Sequence, residues 1–380
     1  MTVTTGAPAQ APNVGRGQAP AALPFAIASR QQSRQSFVTP TTALSATSPT
    51  LLSPIQIPAV GYLRFIRLEV TLTGSGGTSP AFLADGPFNV IQSINLRNAS
   101  GNDLIVPLTG YQLYLANKYG AQTSQAPLSD KRLGRQYAAA APSAHFFLDV
   151  PLEIDSQTGL GAIPALASNR SYQLAITLAA IPTVLSGAPS VSVTIDATAF
   201  YWTEPIASTQ SGVPQTTQPP GLGTISLWQI ESPPVTPGDK YIRSNNVGNV
   251  IRCLIFVLRN SAGARIDVNG WPTFTELYMD NDPLFRLKQT EHEQLMAEWY
   301  NLQAAAKDVP GGLDTGVYVL PFFGLTAGYA GDPSATRAQL LPTLDASLLQ
   351  LRGNFGSAVS TLEILTNGVV PKNASVLYSK

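Results

Sequence analysis

The chain has 380 residues, enough for two ordinary domains with buried cores, and its 23 basic and 23 acidic residues balance to zero net charge. Hydrophobic residues make up 44% and fall in organised runs, which excludes a disordered chain; the single Cys253 excludes internal disulfides and a cysteine-based zinc cluster. Charged residues are only 12%, against roughly 25% in an ordinary soluble domain, so much of the surface is expected to end up against other subunits, a weakly charged secreted protein being the alternative.

Gly and Pro, 31 each and spread along the chain, favour many turns and few long helices, as in all-β sandwiches. No apolar run is long enough to cross a bilayer, and the longest, Leu174 to Leu185, is interrupted by Pro182.

Residues 1–36 read as a flexible basic arm: Arg16, Arg30, Arg34, Arg64 and Arg67 all precede the first acidic residue, Glu69. Within it, a short helix is expected from Phe25 to Phe37, with Arg30 and Arg34 on one face. From Phe37 to Thr203 follow short strand-like runs, including Tyr62 to Leu72, Phe88 to Leu96, Leu104 to Leu108, His145 to Ile154, Tyr172 to Ile181 and the strictly alternating Val191 to Trp202. A helix from Thr109 to Tyr119 sits among them, opened by the capping box Thr109/Gln112 and stopped by Gly120.

Residues 204–223 carry one charge and read as a linker. Over 224–380 the pattern returns, with strands at Ile225 to Ile230, Tyr241 to Arg243, Ile251 to Leu258, Phe274 to Met279 and Leu284 to Leu287. A second helix is expected from Glu291 to about Lys307, opened by Thr290 with Glu293. Strands at Val317 to Leu320, Leu348 to Leu351 and Leu362 to Leu365 complete the half. The strand–turn–strand–helix block of the first half thus recurs in the second, and His145 to Pro151 has its echo in Gly316 to Pro321. Seven or eight strands and one helix per half fit two jelly rolls, 37–203 and 224–380, each of two packed four-stranded sheets.

Catalytic patterns are nearly absent. His145 heads an apolar strand and reads as a hydrogen-bonded structural residue. His292-Glu293 begins like a zinc-protease helix, but Ala297 stands where a second His is needed. Asp280-Asn281-Asp282 with Glu291 imitates a calcium loop, but Leu284 and Phe285 occupy a ligand position and the required Gly, so a structural turn is expected, with weak calcium binding at Asp280 and Asp282 left open. Gly74, Gly76 and Gly77 lack the Lys-Ser/Thr of a phosphate loop, and no Gly-x-Ser-x-Gly elbow occurs. Asp149, Glu153 and Asp155 would have to serve a glycan hydrolase, and Trp202, Trp228, Trp271 and Trp299 a sugar-binding surface. No catalytic residue, cofactor or metal site is assigned.

The segment Leu83 to Gln92 leading into a strand, Gly110 to Asn117 in the following helix, the closing Leu362 to Lys380, the length and the Ala/Gln/Arg-rich arm carry a family likeness. In these the chain resembles the double jelly-roll major capsid proteins of tailless icosahedral internal-membrane bacteriophages, the tectiviruses and their relatives, whose architecture adenovirus hexon shares on a larger scale. The resemblance implies an all-β fold of two tandem eight-stranded jelly rolls, each with one inserted helix, plus an extended N-terminal arm. It implies a non-enzymatic major capsid protein, made in the host cytoplasm, whose homotrimers of pseudo-hexagonal outline tile an icosahedral virion shell. Minor capsid or vertex proteins would be partners, with no sequence-specific nucleic acid. Phe25, Ile27, Arg16, Arg30 and Arg34 would touch neighbouring subunits or an internal lipid membrane. The alternative is a viral spike or a two-domain carbohydrate-binding β-sandwich protein.

Overall fold

The computed structural model describes residues 21–98, 103–120, 143–166, 172–267, 269–309, 311–322 and 340–370. The first half runs α1 (Phe25–Ala28), β1 (Gln31–Val38), β2 (Thr42–Ala43), β3 (Thr50–Leu51), β4 (Ile55–Gln56), β5 (Gly61–Ser75), β6 (Ile91–Arg97), β7 (Asp103–Leu108), α2 (Gly110–Tyr119), β8 (Ala144–Pro151), β9 (Ile163–Ala165), β10 (Gln173–Leu178), α3 (Ile181–Val184) and β11 (Ser190–Trp202). The second runs β12 (Ile225–Glu231), β13 (Gly238–Ser244), β14 (Val250–Arg259), β15 (Phe274–Met279), β16 (Asp282–Lys288), α4 (Gln289–Trp299), β17 (Val317–Pro321), β18 (Leu341–Pro342), β19 (Leu349–Phe355) and β20 (Thr361–Val370).

Four antiparallel sheets result. In the first half they are ordered β1-β11-β5-β8 and β3-β10-β6-β7; in the second, β12-β20-β14-β17 and β13-β19-β15-β16. With β3 and β4 sharing one position beside β10, both halves give the strand orders 1-8-3-6 and 2-7-4-5, which is the jelly roll. Short β2, β4, β9 and β18 add to the sheets beyond the four strands expected for each.

The duplication extends to registers. Arg64 is skipped in the pairing of β5 with β11, between Leu63↔Tyr201 and Phe65↔Phe200; Arg252 is skipped in the same place between Ile251↔Gly368 and Cys253↔Asn367. Each is a bulge, which re-aims a side chain out of the ladder. Opposite those bulges, β8 and β17 both end on proline, with Phe65↔Pro151 matching Cys253↔Pro321. The inserted helix follows the fifth strand in both rolls and covers the open edge of the sixth. The Asn117 amide donates to the Asp149 carbonyl at 2.6 Å and accepts the Asp149 N–H at 2.7 Å. In the second roll His292 meets the Val319 carbonyl at 2.8 Å, and the Val319 N–H reaches the Met296 sulfur at 3.3 Å. Covering an edge in this way removes a row of unpaired backbone groups that would recruit another strand.

Several expectations are corrected. The helix from Phe25 to Phe37 is a single turn, α1, followed by strand β1 paired along β11, so the flexible arm does not extend to residue 36. The Arg30/Arg34 spacing imitates a helix face, but the Gln/Ser/Arg run has no apolar stripe to hold one, whereas the open edge of β11 offers backbone partners from Trp202 to Asp196. The second helix starts before Thr290 and ends at Trp299, not Lys307: the Lys288 N–H is taken by Glu291 at 3.4 Å, and Asn301 has positive φ just beyond the end. Glu293 caps nothing; it accepts from Lys307 at 2.9 Å and from the Tyr318 hydroxyl at 2.9 Å. The Thr109/Gln112 box forms as expected. Gly120, however, has φ −81°, so its role is space: a Cβ there would lie 2.4 Å from the Ala116 carbonyl oxygen and 2.7 Å from the Trp228 ring.

His292 is buried with Nδ1 unpartnered, and burial pushes its pKa down to about 4. The unfolded chain takes up a proton below about 6.5 while the folded one resists until about 4, so stability falls across that window as pH is lowered and then levels off. His292→Leu (Leu113 stands at the matching place in α2) should remove this part of the slope, read as a smaller loss of urea midpoint between pH 7 and pH 4.5 than in the parent.

Candidate functional site

The described residues that carry most of the buried chemistry lie where the two rolls meet. Helix α2, with sequence GYQLYLANKY, is buried at all ten positions. Its start requires Gly110, where a Cβ would sit 2.0 Å from the Phe88 carbonyl oxygen. On the side of the first roll, Tyr114 stacks on Phe88 at 4.2 Å and Asn117 holds β8. Towards the second roll the helix presents polar groups, and Gln112, Lys118 and Tyr119 find partners there, while the buried Tyr111 hydroxyl has none among the described residues.

Lys118 is paired with Asp314 and donates to the Gly312 carbonyl at 2.7 Å; both side chains of the pair are almost completely buried. The Tyr119 hydroxyl donates to the same Asp314 carboxylate oxygen, Oδ2, at 2.8 Å. Burial works against the Lys118 charge, but Asp314 and Tyr114 outweigh it and raise its pKa, while burial and Asp314 raise that of Tyr119. The Gln112 amide donates to Glu363 on β20, and the Tyr300 hydroxyl donates to the Tyr119 carbonyl at 2.9 Å. At the helix end, Arg252 donates to the Gly120 carbonyl at 3.0 Å and to the Asn367 side chain at 2.8 Å. The bulge at Arg252 thus aims a cation at a helix C-terminus, where carbonyls are left without intrahelical donors.

A second cluster joins the loop before β6 to the second roll. Asp85 binds Arg259 and Arg265, each at 2.8 Å; Arg265 also binds Asp308 at 2.7 Å and the Ala84 carbonyl at 2.6 Å, and its guanidinium lies 4.8 Å above the Tyr111 ring. Arg259 reaches on to Glu363 at 3.0 Å. A cleft of about 500 Å³ opens beside this network, but Asp85, Arg259 and Glu363 on its wall are already satisfied by one another and by Gln112. The site joins; it does not present reactive groups.

The sequence candidates for chemistry are placed elsewhere, each with a structural partner. Asp149 takes both arms of Arg67 at 2.7 and 2.8 Å; Glu153 takes Arg64 at 2.8 Å and the Trp202 indole N–H at 2.5 Å; Asp155 accepts from Gln157 and Thr158 in a turn. His145 is hydrogen-bonded as expected, its Nε2 2.8 Å from Glu69, at an exposed position. Asp280 and Asn281, both at positive φ, form the two-residue turn between β15 and β16, and the Asp280 carboxylate accepts from the Ser347 hydroxyl and from the N–H groups of Ser347 and Leu348. Those donors hold its pKa below the usual range. Trp202, Trp228 and Trp271 are buried and Trp299 is half-buried, so they form packing rather than an exposed sugar platform. Among the described residues no three metal-ligating side chains converge.

The proposed arm residues separate. Phe25 is buried within the first roll, against Tyr62 at 5.3 Å and Trp202 at 6.3 Å. Ile27 is 71% exposed, Arg30 and Arg34 are exposed, and Arg16 lies outside the described residues. The residues missed by sequence reasoning, Asp314, Arg252, Arg259 and Arg265, join groups more than a hundred positions apart, a separation that leaves no local signal.

These sheets and their order define a double jelly roll. No family model matches the chain, and no curated protein matches it. Solved structures do: the STIV MCP matches with TM-score 0.60 and 15% identity over 92% of this chain and 100% of that one. The PBCV-1 virus capsid matches with TM-score 0.55 and 13% identity over 90% of this chain and 93% of that one. The Faustovirus major capsid protein matches with TM-score 0.51 and 10% identity over 95% and 92%. The fold is therefore one that major capsid proteins also adopt.

Removing one member of the Lys118–Asp314 pair strands the other charge in a buried interface. Lys118→Met should cost about 3–5 kcal/mol in urea unfolding, and adding Asp314→Leu should recover part of that loss. A single-variant cost below about 1 kcal/mol would show that the pair is idle.

Proposed function

We propose that this chain is the major capsid protein of an icosahedral virus, acting as a homotrimer whose six lobes tile the shell. The observation that carries the reading is the double jelly roll, shared with capsid proteins over nine-tenths or more of this chain. Two further features support it. The halves on either side of residues 204–223 repeat strand order, bulge and helix position, so one chain presents two lobes of similar outline. The α2 junction binds those lobes to each other through buried contacts, as a building block with a fixed outline requires. Catalysis has no place in the proposal, because each candidate carboxylate is engaged in holding the fold.

The proposed site of the mature protein is the virion shell, with self-association as its main interaction and minor capsid proteins as further partners. One end of the first roll supports a contact with an inner layer, lipid included: Val60 and Leu166 are exposed beside the Gly61↔Ala165 pair, and Ile27 and Ile206 emerge near the hydrogen bonds joining Arg30 to Thr203. Arg30 is exposed at the same end.

Light scattering of the purified chain at micromolar concentration should give three times the 40.2 kDa chain mass, and negative-stain images a six-lobed outline. A clean monomer would sink the proposal.

A further inference from the structure

The internal repeat leaves two surfaces open whose counterparts are closed inside the chain. The outer face of the β12-β20-β14-β17 sheet is sealed: Ile255, Val257, Leu365 and Asn367 are each at 0% exposure, and Glu363 on the same face accepts from Gln112 of α2. The registers match this face position by position to the first roll, where Arg67↔Thr198 corresponds to Ile255↔Leu365 and Glu69↔Asp196 to Val257↔Glu363. There Phe65, Arg67, Glu69, Asp196, Thr198 and Phe200 all remain partly exposed.

The helices show the complementary difference. Cap position and edge contact align α2 with α4: Thr109 with Lys288, Gln112 with Glu291, Asn117 with Met296. Every residue of α2 is buried, whereas Thr290, Glu291, Gln294 and Glu298 of α4 are exposed. One chain therefore carries a helix without its sheet and a sheet without its helix.

We infer that these two surfaces meet between copies: α4 of one chain lies on the outer face of the β1-β11-β5-β8 sheet of the next, repeating the α2 contact. This rests on the proposed trimer and names its interface. A helix-to-sheet contact of this kind is head-to-tail, and such contacts close into rings when the rotation allows. A second copy is the occupant because the chain already makes this contact once, with the same pair of elements. The partly aromatic, Thr-rich sheet face and the Gln/Glu-bearing helix are more polar than the sealed pair, as suits surfaces wetted before assembly. Asp196 supplies a separate sign: its Oδ1 is buried and has no partner, at the position where Glu363 takes the Gln112 amide. Glu291, which replaces Gln112 in the repeat, accepts from its own Lys288 N–H, which leaves the exposed Thr290 hydroxyl as the nearest donor in register for Asp196.

The test mixes two single-cysteine variants, Asp196→Cys and Glu291→Cys, and treats them with a short bis-maleimide. The native Cys253 is fully buried, with its thiol pKa pushed up to about 12, so reagent is left to the introduced thiols. Cross-linked pairs are expected from the mixture and not from either variant alone, and the double variant should give a covalently closed three-chain species. Thr198→Arg, at the centre of the sheet face, should turn trimer into monomer with the chain still folded by circular dichroism. Trimers that form without 196–291 adducts, or that survive Thr198→Arg, overturn this interface and leave the trimer standing; a monomeric parent chain removes both.

Discussion

Helix α2 is buried on every side, and the rest of the molecule is arranged around the cost of that. A buried cation or unpaired amide is expensive, and its partner must be close and well directed to offset the loss of water. Lys118 is therefore met by Asp314, Gln112 by Glu363, and the terminal carbonyl at Gly120 by Arg252. All of these partners come from the second roll. The contact that joins the lobes thus carries directed polar pairs along α2, which fix one relative placement more firmly than an apolar seam would.

The same demand explains differences between two copies of one design. The β5 strand alternates, because one of its faces packs on the core and the other stays partly open; β14 is buried along nearly its whole length, because α2 covers the second face. An uninterrupted apolar run marks a strand covered on both sides, and Cys253 to Leu258 reads so in the sequence. The bulge arginines diverge in the same way. Arg252 serves the helix end, whereas Arg64, at the matching place, binds Glu153 and lies 4.2 Å from the Trp202 ring.

Much of the fold was legible because it is written in local signals. The alternation from Val191 to Trp202, the Thr109/Gln112 box and the repeated order of strands and helix all carry their information within a few residues. Strand β1 was not legible: its Gln/Ser/Arg sequence forms a strand only because β11 leaves an edge beside it. The start of α4 was misread because two acid-bearing turns, at Glu291 and Glu293, fit the same capping pattern, and tertiary contacts with Lys307 and Tyr318 claim the second. Of the site, the helix was foreseen, but none of the residues that receive it. Asp314 lies in a loop, and nothing near it in the chain marks it as the partner of a lysine 196 positions away.

The sealing of β14 also bears on how such a chain is made. Synthesis runs from the N-terminus, and domains fold largely as they emerge. The helix that covers the outer face of β14 is therefore built before that strand leaves the ribosome. Were the halves reversed in order, β14 would wait exposed through the synthesis of a whole roll, as an adhesive surface among many identical nascent chains. The order of the two copies places the cover first, so that the chain need not pass through a stage with this strand uncovered.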